Sequence, residues 1–334
     1  MKAVLVGFGY WGPNIARNLM ASANFELRGI CDLDPARLAK ARGLWGEGSG
    51  IRYYTDYREA IADERGVEMV AVALRDQIGQ QVARDVLRAG KHLFMEKPMA
   101  TSMADALNLE ELARLNNVLI HVDHVLVYHP IIRRIKSIID SGELGDLIFF
   151  ESSRANLGPH IKRDMNAMWD LAVHDLAILD YLCGGKRALN TECMGVKRFG
   201  DQEILTYMTV QYDGFIAMIK SSWFSPLKDR TMVISGTKKM IVFDDLRDTS
   251  EKLMIYDKGV DVSEGNYSEY GRLEAKVRLG DLYVPYMEQE DALLNGIEHF
   301  AECIRAGKPS LSGPEQAIRT LEILERAEAR LKAV

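Results

Sequence analysis

Four ionisable side chains, in two pairs, stand where their local sequence does not call for charge. The run HLFMEKPMA (92–100) is apolar until it reaches Glu96 and Lys97, and Pro98 then stiffens the backbone. Strands of this kind usually end in small turn residues. A carboxylate and an ammonium at that position suggest that reacting atoms meet there. A second pair lies in AMWDLAVHDLAILDYL (167–182), where Asp170 and His174 are four apart and share one helix face. An imidazole, with an ordinary pKa of ~6.5, suits proton transfer near neutrality. The same two residues also fit a satisfied buried pair on an apolar helix, and spacing alone leaves both readings open.

The chain begins with an apolar run that enters Gly7-Phe8-Gly9-Tyr10-Trp11-Gly12, a GxGxxG followed by a helix pattern. Each glycine has a task in such a loop. Gly7 permits the tight turn, Gly9 lets a pyrophosphate approach the backbone, and Gly12 lets the helix pack against the strand. The helix N-terminus then meets the anion. Asp32 follows twenty residues after Gly12, at the end of the second apolar run, where a carboxylate can accept ribose hydroxyls. The same carboxylate repels the extra phosphate of NADP, so NAD is the expected cofactor, with Arg37 and Lys40 nearby in sequence.

The elements that must carry these residues alternate over the first 120 positions. KAVLVGF, FELRGIC, EMVAVAL, KHLFME and NVLIHV read as strands, with helix patterns at 11–22, 35–45, 78–90 and 102–116. Buried strands separated by helices mean a parallel sheet covered on both faces. Asp34-Pro35 and Ser102 stand at helix starts. After residue 123 the grammar changes. Helix patterns at 128–142 and 167–185 flank the strand-like 147–157. Consecutive strand patterns then run from 188 to 245 without intervening helices, implying a mostly antiparallel sheet. Residues 257–286 read as a long loop, and helices are expected at 287–306 and 314–332. The fold class is therefore α/β: an N-terminal Rossmann domain (1–122) and a C-terminal α+β domain (123–334) with a large open sheet. The last helices are expected to pack back on the first domain.

Composition narrows the function classes. With 334 residues, 47% hydrophobic and 27% charged, the chain reads as an ordinary globular protein large enough for two cores. A net charge of −6 gives no support for a nucleic-acid partner, and no apolar stretch approaches the ~18 residues of a membrane span. Four scattered cysteines without a CxxC suggest neither zinc nor disulfides, and MKAVLVGFG reads as a strand start and not as a signal peptide. A cytoplasmic enzyme is expected. His121-Val-Asp123-His124 has ligand-like spacing, but successive residues of a strand point to opposite faces, which parts His121 from His124, so no metal site is expected. His92 and His299 read as structural or surface residues.

The glycine loop at the N-terminus, AGKHLFMEKP some ninety residues on, and a second antiparallel domain together resemble the glucose–fructose oxidoreductase/inositol dehydrogenase (Gfo/Idh/MocA) family over essentially the whole chain. The resemblance implies a catalytic or substrate-binding role for Lys97, often before a cis proline bond. It implies that Asp170 and His174 join Lys97 at the substrate, and that the open sheet forms homodimers or homotetramers. Oxidising a secondary alcohol removes a hydride from carbon and a proton from oxygen. His174 suits the proton acceptor, Lys97 could orient the hydroxyl, and Asp170 could bind it or tune its neighbours. Glu96 and Lys97 should border the nicotinamide. His124 and Tyr128 are possible substrate contacts.

ESSRANLGPHIKRD (151–164) should leave its strand and arch over the cleft with Arg154, Asn156, His160, Lys162 and Arg163. A cationic loop would suit a diphosphate. The runs around WDLAVHDL and SWFSPLKDRTMVISGTKKMIVFDD resemble family members that oxidise C3 of a UDP-linked N-acetylhexosamine or its uronate. A free sugar or inositol dehydrogenase, a keto-sugar reductase, an enzyme exchanging hydride between two sugars, and a non-catalytic dinucleotide-binding regulator are the alternatives.

Overall fold

The β-branched runs near the N-terminus become six parallel strands: β1 (Lys2–Val6), β2 (Glu26–Cys31), β3 (Arg52–Tyr54), β4 (Met69–Val72), β5 (His92–Met95) and β6 (Ile120–Val122). In this computed structural model, which describes residues 1–63, 65–74, 76–158, 165–262 and 275–333, they form one sheet in the order β3-β2-β1-β4-β5-β6. That is the doubly wound order of a dinucleotide-binding sheet. Its central strands are sealed, with Ala3, Leu5, Met69 and Ala71 fully buried.

The connecting helices are α1 (Gly12–Ala21), α2 (Pro35–Trp45), α3 (Tyr57–Ile61), α4 (Asp76–Arg88) and α5 (Met103–Leu115). Asp34 caps α2 by accepting from the Ala36 N–H, and Ser102 caps α5 by accepting from Asp105. Strand β3 and helix α3, short and flanked by loops, carry too few residues for a periodic signal and went unread in the sequence.

The chain divides into two units, Met1–His129 with Glu290–Glu322, and Pro130–Gln289 with Ile323–Val334. The second unit opens with α6 (Pro130–Asp140), β7 (Leu147–Leu157) and α7 (Val173–Leu182). It continues through β8 (Asn190–Lys197), β9 (Glu203–Gln211), β10 (Ile216–Ser222), β11 (Phe224–Gly236), β12 (Met240–Asp244) and β13 (Leu253–Tyr256). The expected loop at 257–286 is corrected where it is described. Short strands β14 (Gly259–Val262) and β15 (Ala275–Arg278) pair with each other, and β16 (Leu282–Tyr283) extends the main sheet beside β13. They are too short and polar to show alternation.

Helix α8 (Ala292–Ala306) returns to the first unit, where Leu293, Ile297 and Phe300 join the core around Leu5, Ile15 and Phe94. Helix α9 (Pro314–Ala329) begins in the first unit and ends in the second, and β17 (Lys332–Ala333) adds an edge beside β8. The large sheet runs β16-β13-β12-β11-β7-β10-β9-β8-β17 and is antiparallel except for the β7–β10 and β8–β17 pairs. It is one-sided: Ile204, Thr206, Met208 and Val210 of β9 are buried, while Tyr207 between them is 56% exposed. Among the described residues no helix is long and apolar enough to cross a membrane.

Candidate active site

In the first unit, β1 delivers its chain into the glycine loop. Gly7 adopts φ +98°, and a Cβ there would lie 2.8 Å from the Ala73 carbonyl oxygen. A Cβ on Gly12 would lie 2.4 Å from the Gly7 carbonyl, so α1 packs directly on the turn. Gly9 has only ordinary contact nearby, with Arg37 Nη1 3.6 Å from its notional Cβ. At the N-cap of α1, Trp11 gives the helix no side-chain capping bond, which leaves the helix start polar and positive toward an anion. The cradle is narrow where packing demands it and open where a pyrophosphate would approach. It fits a dinucleotide.

Asp32, just past β2, is 6% exposed and works harder than the sequence implied. Its Oδ2 accepts the Phe8 N–H at 2.7 Å, and Oδ1 accepts the Asp34 N–H at 2.9 Å. Arg37 Nη1 approaches Oδ2 at 3.4 Å. The carboxylate therefore pins the glycine loop to the end of β2, at the position expected to read the ribose. Tyr10, by contrast, is 92% exposed.

At the carboxyl ends of β5 and β6 a charged cluster assembles. The Lys97–Pro98 bond is cis, and Glu96 and Lys97 are half-buried. Asp123 is buried; its Oδ2 accepts from the Trp11 indole at 3.1 Å, and its side chain hydrogen-bonds Glu96. Burial pushes the Asp123 carboxyl up to about 6, against the lowering effects of Trp11, Glu96 and Lys97. His124 is also buried, and neither ring nitrogen has a hydrogen-bond partner among the described residues. Burial, helped by the Lys97 charge, lowers its pKa to about 3, so the imidazole is neutral.

In the second unit the segment expected as a single amphipathic helix is built in two parts. Residues Met168–Ala172 form a π-helical turn, and α7 follows. Asn166 starts the turn, its side-chain oxygen accepting the Trp169 N–H at 3.1 Å. Asp170 thus occupies a widened turn of the kind that re-aims side chains, and His174 lies in the first turn of α7. The Trp223 indole donates to Asp170 Oδ2 at 3.2 Å. Nor is α7 amphipathic, since Val173, Leu176, Ile178 and Leu179 bury its opposite sides.

Three expected substrate contacts already have protein partners. Arg154 lies within β7, not in a loop, and grips Asp175 of α7 at 2.7 and 3.1 Å in a buried ion pair. Asn156 Oδ1 accepts from Arg230 at 3.2 Å. Tyr128, in the first unit, is fully buried, and its hydroxyl lies 2.9 Å from Ser312 Oγ. His160, Lys162 and Arg163 lie outside the described residues. The first unit gathers the glycine loop, Asp32, Glu96, Lys97 and His124, and the second gathers Asp170 and His174. Sequence reading missed Asp123, Trp223 and Arg230. Only Asp123 had a signal, as an acid inside the HVDH run.

Residues 1–124 match the model of an oxidoreductase family with an NAD-binding Rossmann fold, and residues 132–242 match the GFO/IDH/MocA C-terminal domain. A scyllo-inositol 2-dehydrogenase (NAD(+)) of Bacillus subtilis is 24% identical over 97% of this chain and 92% of its own. Among solved structures, the UDP-N-acetylglucosamine 3-dehydrogenase GnnA from Acidithiobacillus ferrooxidans superposes with a TM-score of 0.80 at 22% identity, covering 99% of this chain and 97% of that one. GenD2 from gentamicin A biosynthesis, solved in complex with NAD, gives a TM-score of 0.79 at 22% identity over 99% and 93%. With both domain models matched in order along one chain, this protein belongs to the GFO/IDH/MocA family of NAD-binding oxidoreductases.

Proposed function

We propose that the protein is an NAD-dependent dehydrogenase acting on a secondary hydroxyl of a sugar, with C3 of a UDP-linked N-acetylhexosamine or its uronate as the favoured target. The observation that carries this reading is Lys97, held at the carboxyl end of β5 beside a neutral His124 that has no hydrogen-bond partner among the described residues, in an NAD-binding sheet. When bound, the cofactor supplies the hydride acceptor. Lys97 orients the substrate hydroxyl and stabilises its developing alkoxide. His174 takes the proton, and Asp170, steadied by Trp223, binds a hydroxyl of the sugar. His124 offers a further hydrogen bond to the substrate. Support for the sugar comes from GnnA and the scyllo-inositol enzyme, whose names each give a numbered position of dehydrogenation. The inositol relative keeps a free cyclic polyol as the second reading.

The test is Lys97→Ala, assayed by NADH absorbance against UDP-linked and free sugars. It should keep NAD affinity and lose turnover on the order of 10²-fold. Near-normal turnover removes Lys97 from the mechanism, and activity on inositols alone selects the second reading. We also read the exposed Met194, Tyr207, Ile216 and Met218 on one face of the large sheet as the surface of a homodimer or homotetramer, measurable as molecular mass in solution. The four free cysteines suit a cytoplasmic location.

A further inference from the structure

Asp123 touches both halves of the nucleotide end of the site. Its N–H donates to the Met95 carbonyl at 2.8 Å, which fixes it beside the end of β5. Its Oδ2 accepts from Trp11, the residue that caps α1 inside the glycine loop. Its carboxyl meets the Glu96 carboxyl and lies in the field of Lys97. A carboxylate at 4% exposure is costly unless its partners need it. Hydrophobic packing would seat β6 without it. What a carboxylate adds is one rigid acceptor shared between the loop that receives the pyrophosphate and the strand end that carries the ammonium.

We propose that Asp123 is a positioning residue that couples the glycine loop, through Trp11, to Glu96 and Lys97, so that NAD binding and the orientation of Lys97 depend on one carboxylate. The proposal deepens the reading of Lys97 given above. Two carboxyls in hydrogen-bonding contact share a proton, so the link is pH-sensitive. The charged or titratable groups facing Asp123 are Glu96 and Lys97 from the end of β5, His124 next in the chain, and Asp291 ahead of α8, itself paired with Arg17 at 3.1 Å.

A double-mutant cycle of Trp11→Phe and Asp123→Ala, read as the NAD dissociation constant by calorimetry, tests the link. Each single change should weaken NAD binding about fivefold or more, and the double should be no worse than the worse single. Additive effects, or singles that bind NAD normally, overturn the proposal. Asp123→Asn keeps an acceptor for the indole, so it should restore NAD affinity while kcat stays low and loses its pH dependence between about 5 and 7. A pH profile identical to that of the parent overturns it equally. If Asp123→Ala does not fold, the fluorescence difference between the parent and Trp11→Phe apoproteins carries the test: it should titrate with a midpoint near 6, and a flat response refutes the link. Normal turnover of Lys97→Ala would remove the role of the lysine and leave the NAD arm of the cycle to stand or fall alone.

Discussion

His121 and His124 are three residues apart, and both are shut off from water, yet only one is provided for. His121 places Nδ1 2.9 Å and Nε2 3.4 Å from the hydroxyls of Ser310 and Ser312. Its ring stacks on Phe94 at 4.7 Å and on Tyr128 at 5.4 Å. Among the described residues His124 has no hydrogen-bond partner at either nitrogen, and it lies beside the Lys97 charge. A buried polar group left unpaired costs about 1–3 kcal/mol. Architecture explains the first histidine. It does not explain the second, and a substrate hydroxyl would.

The largest effect should come from His121→Leu. It strips partners from two buried hydroxyls and ends the ring stack, so we expect a loss of roughly 2–4 kcal/mol in denaturant unfolding. A cost below ~1 kcal/mol would show that the network is not structural. His124→Leu should instead leave stability unchanged or raise it by about 1 kcal/mol, while kcat/KM for the sugar falls about tenfold. A strongly destabilised but fully active variant would reverse the assignment and make His124 the structural member. Asp32→Ser tests an intermediate case, a group both satisfied and placed to read the ribose. It should loosen the Phe8 end of the loop and relax the preference against NADP. An unchanged cofactor ratio would confine Asp32 to holding the loop.

The pH dependence of folding sharpens the contrast by the least amount. Burial lowers both histidines in the folded state, His124 to about 3 and His121 well below its ordinary value. For a base whose folded pKa lies below its unfolded ~6.5, stability is complete above that value and is lost as pH falls through the window toward 3. Asp123 acts in the opposite sense. Its folded pKa, about 6, exceeds the ordinary 3.8, so its contribution is complete below about 4 and is lost as pH rises through 6. Replacing His124 with Leu should flatten the rise of stability with pH between 4 and 6, and Asp123→Asn should steepen it. Melting temperatures across that range would show either change.

Much of the first unit was readable because its signals are local. GxGxxG and the caps at Asp34 and Ser102 depend on residues within a turn of one another, Asp32 is found by a fixed spacing from the loop, and the structure uses each cap as expected. Arg154 was misread for the opposite reason. Its partner Asp175 is twenty-one residues away, and nothing in RANLG reveals that the cation is already neutralised. The π turn around Asp170 was invisible too, since its wider hydrogen-bond pattern leaves no mark on hydrophobic periodicity. Tyr128 looked like a cleft residue by chain position and proved to be packed against a segment 182 to 184 residues further on.

By itself the amino-acid order determined the strand–helix alternation, the glycine cradle and the placing of Lys97 at a strand end, because each follows from backbone sterics and side-chain periodicity over a few residues. Tertiary structure alone decided which polar groups are consumed by partners. Hydrogen bonds such as Trp11 to Asp123 and ion pairs such as Arg154 to Asp175 join residues distant in the chain, and whether a charge is satisfied depends on that pairing and on its burial.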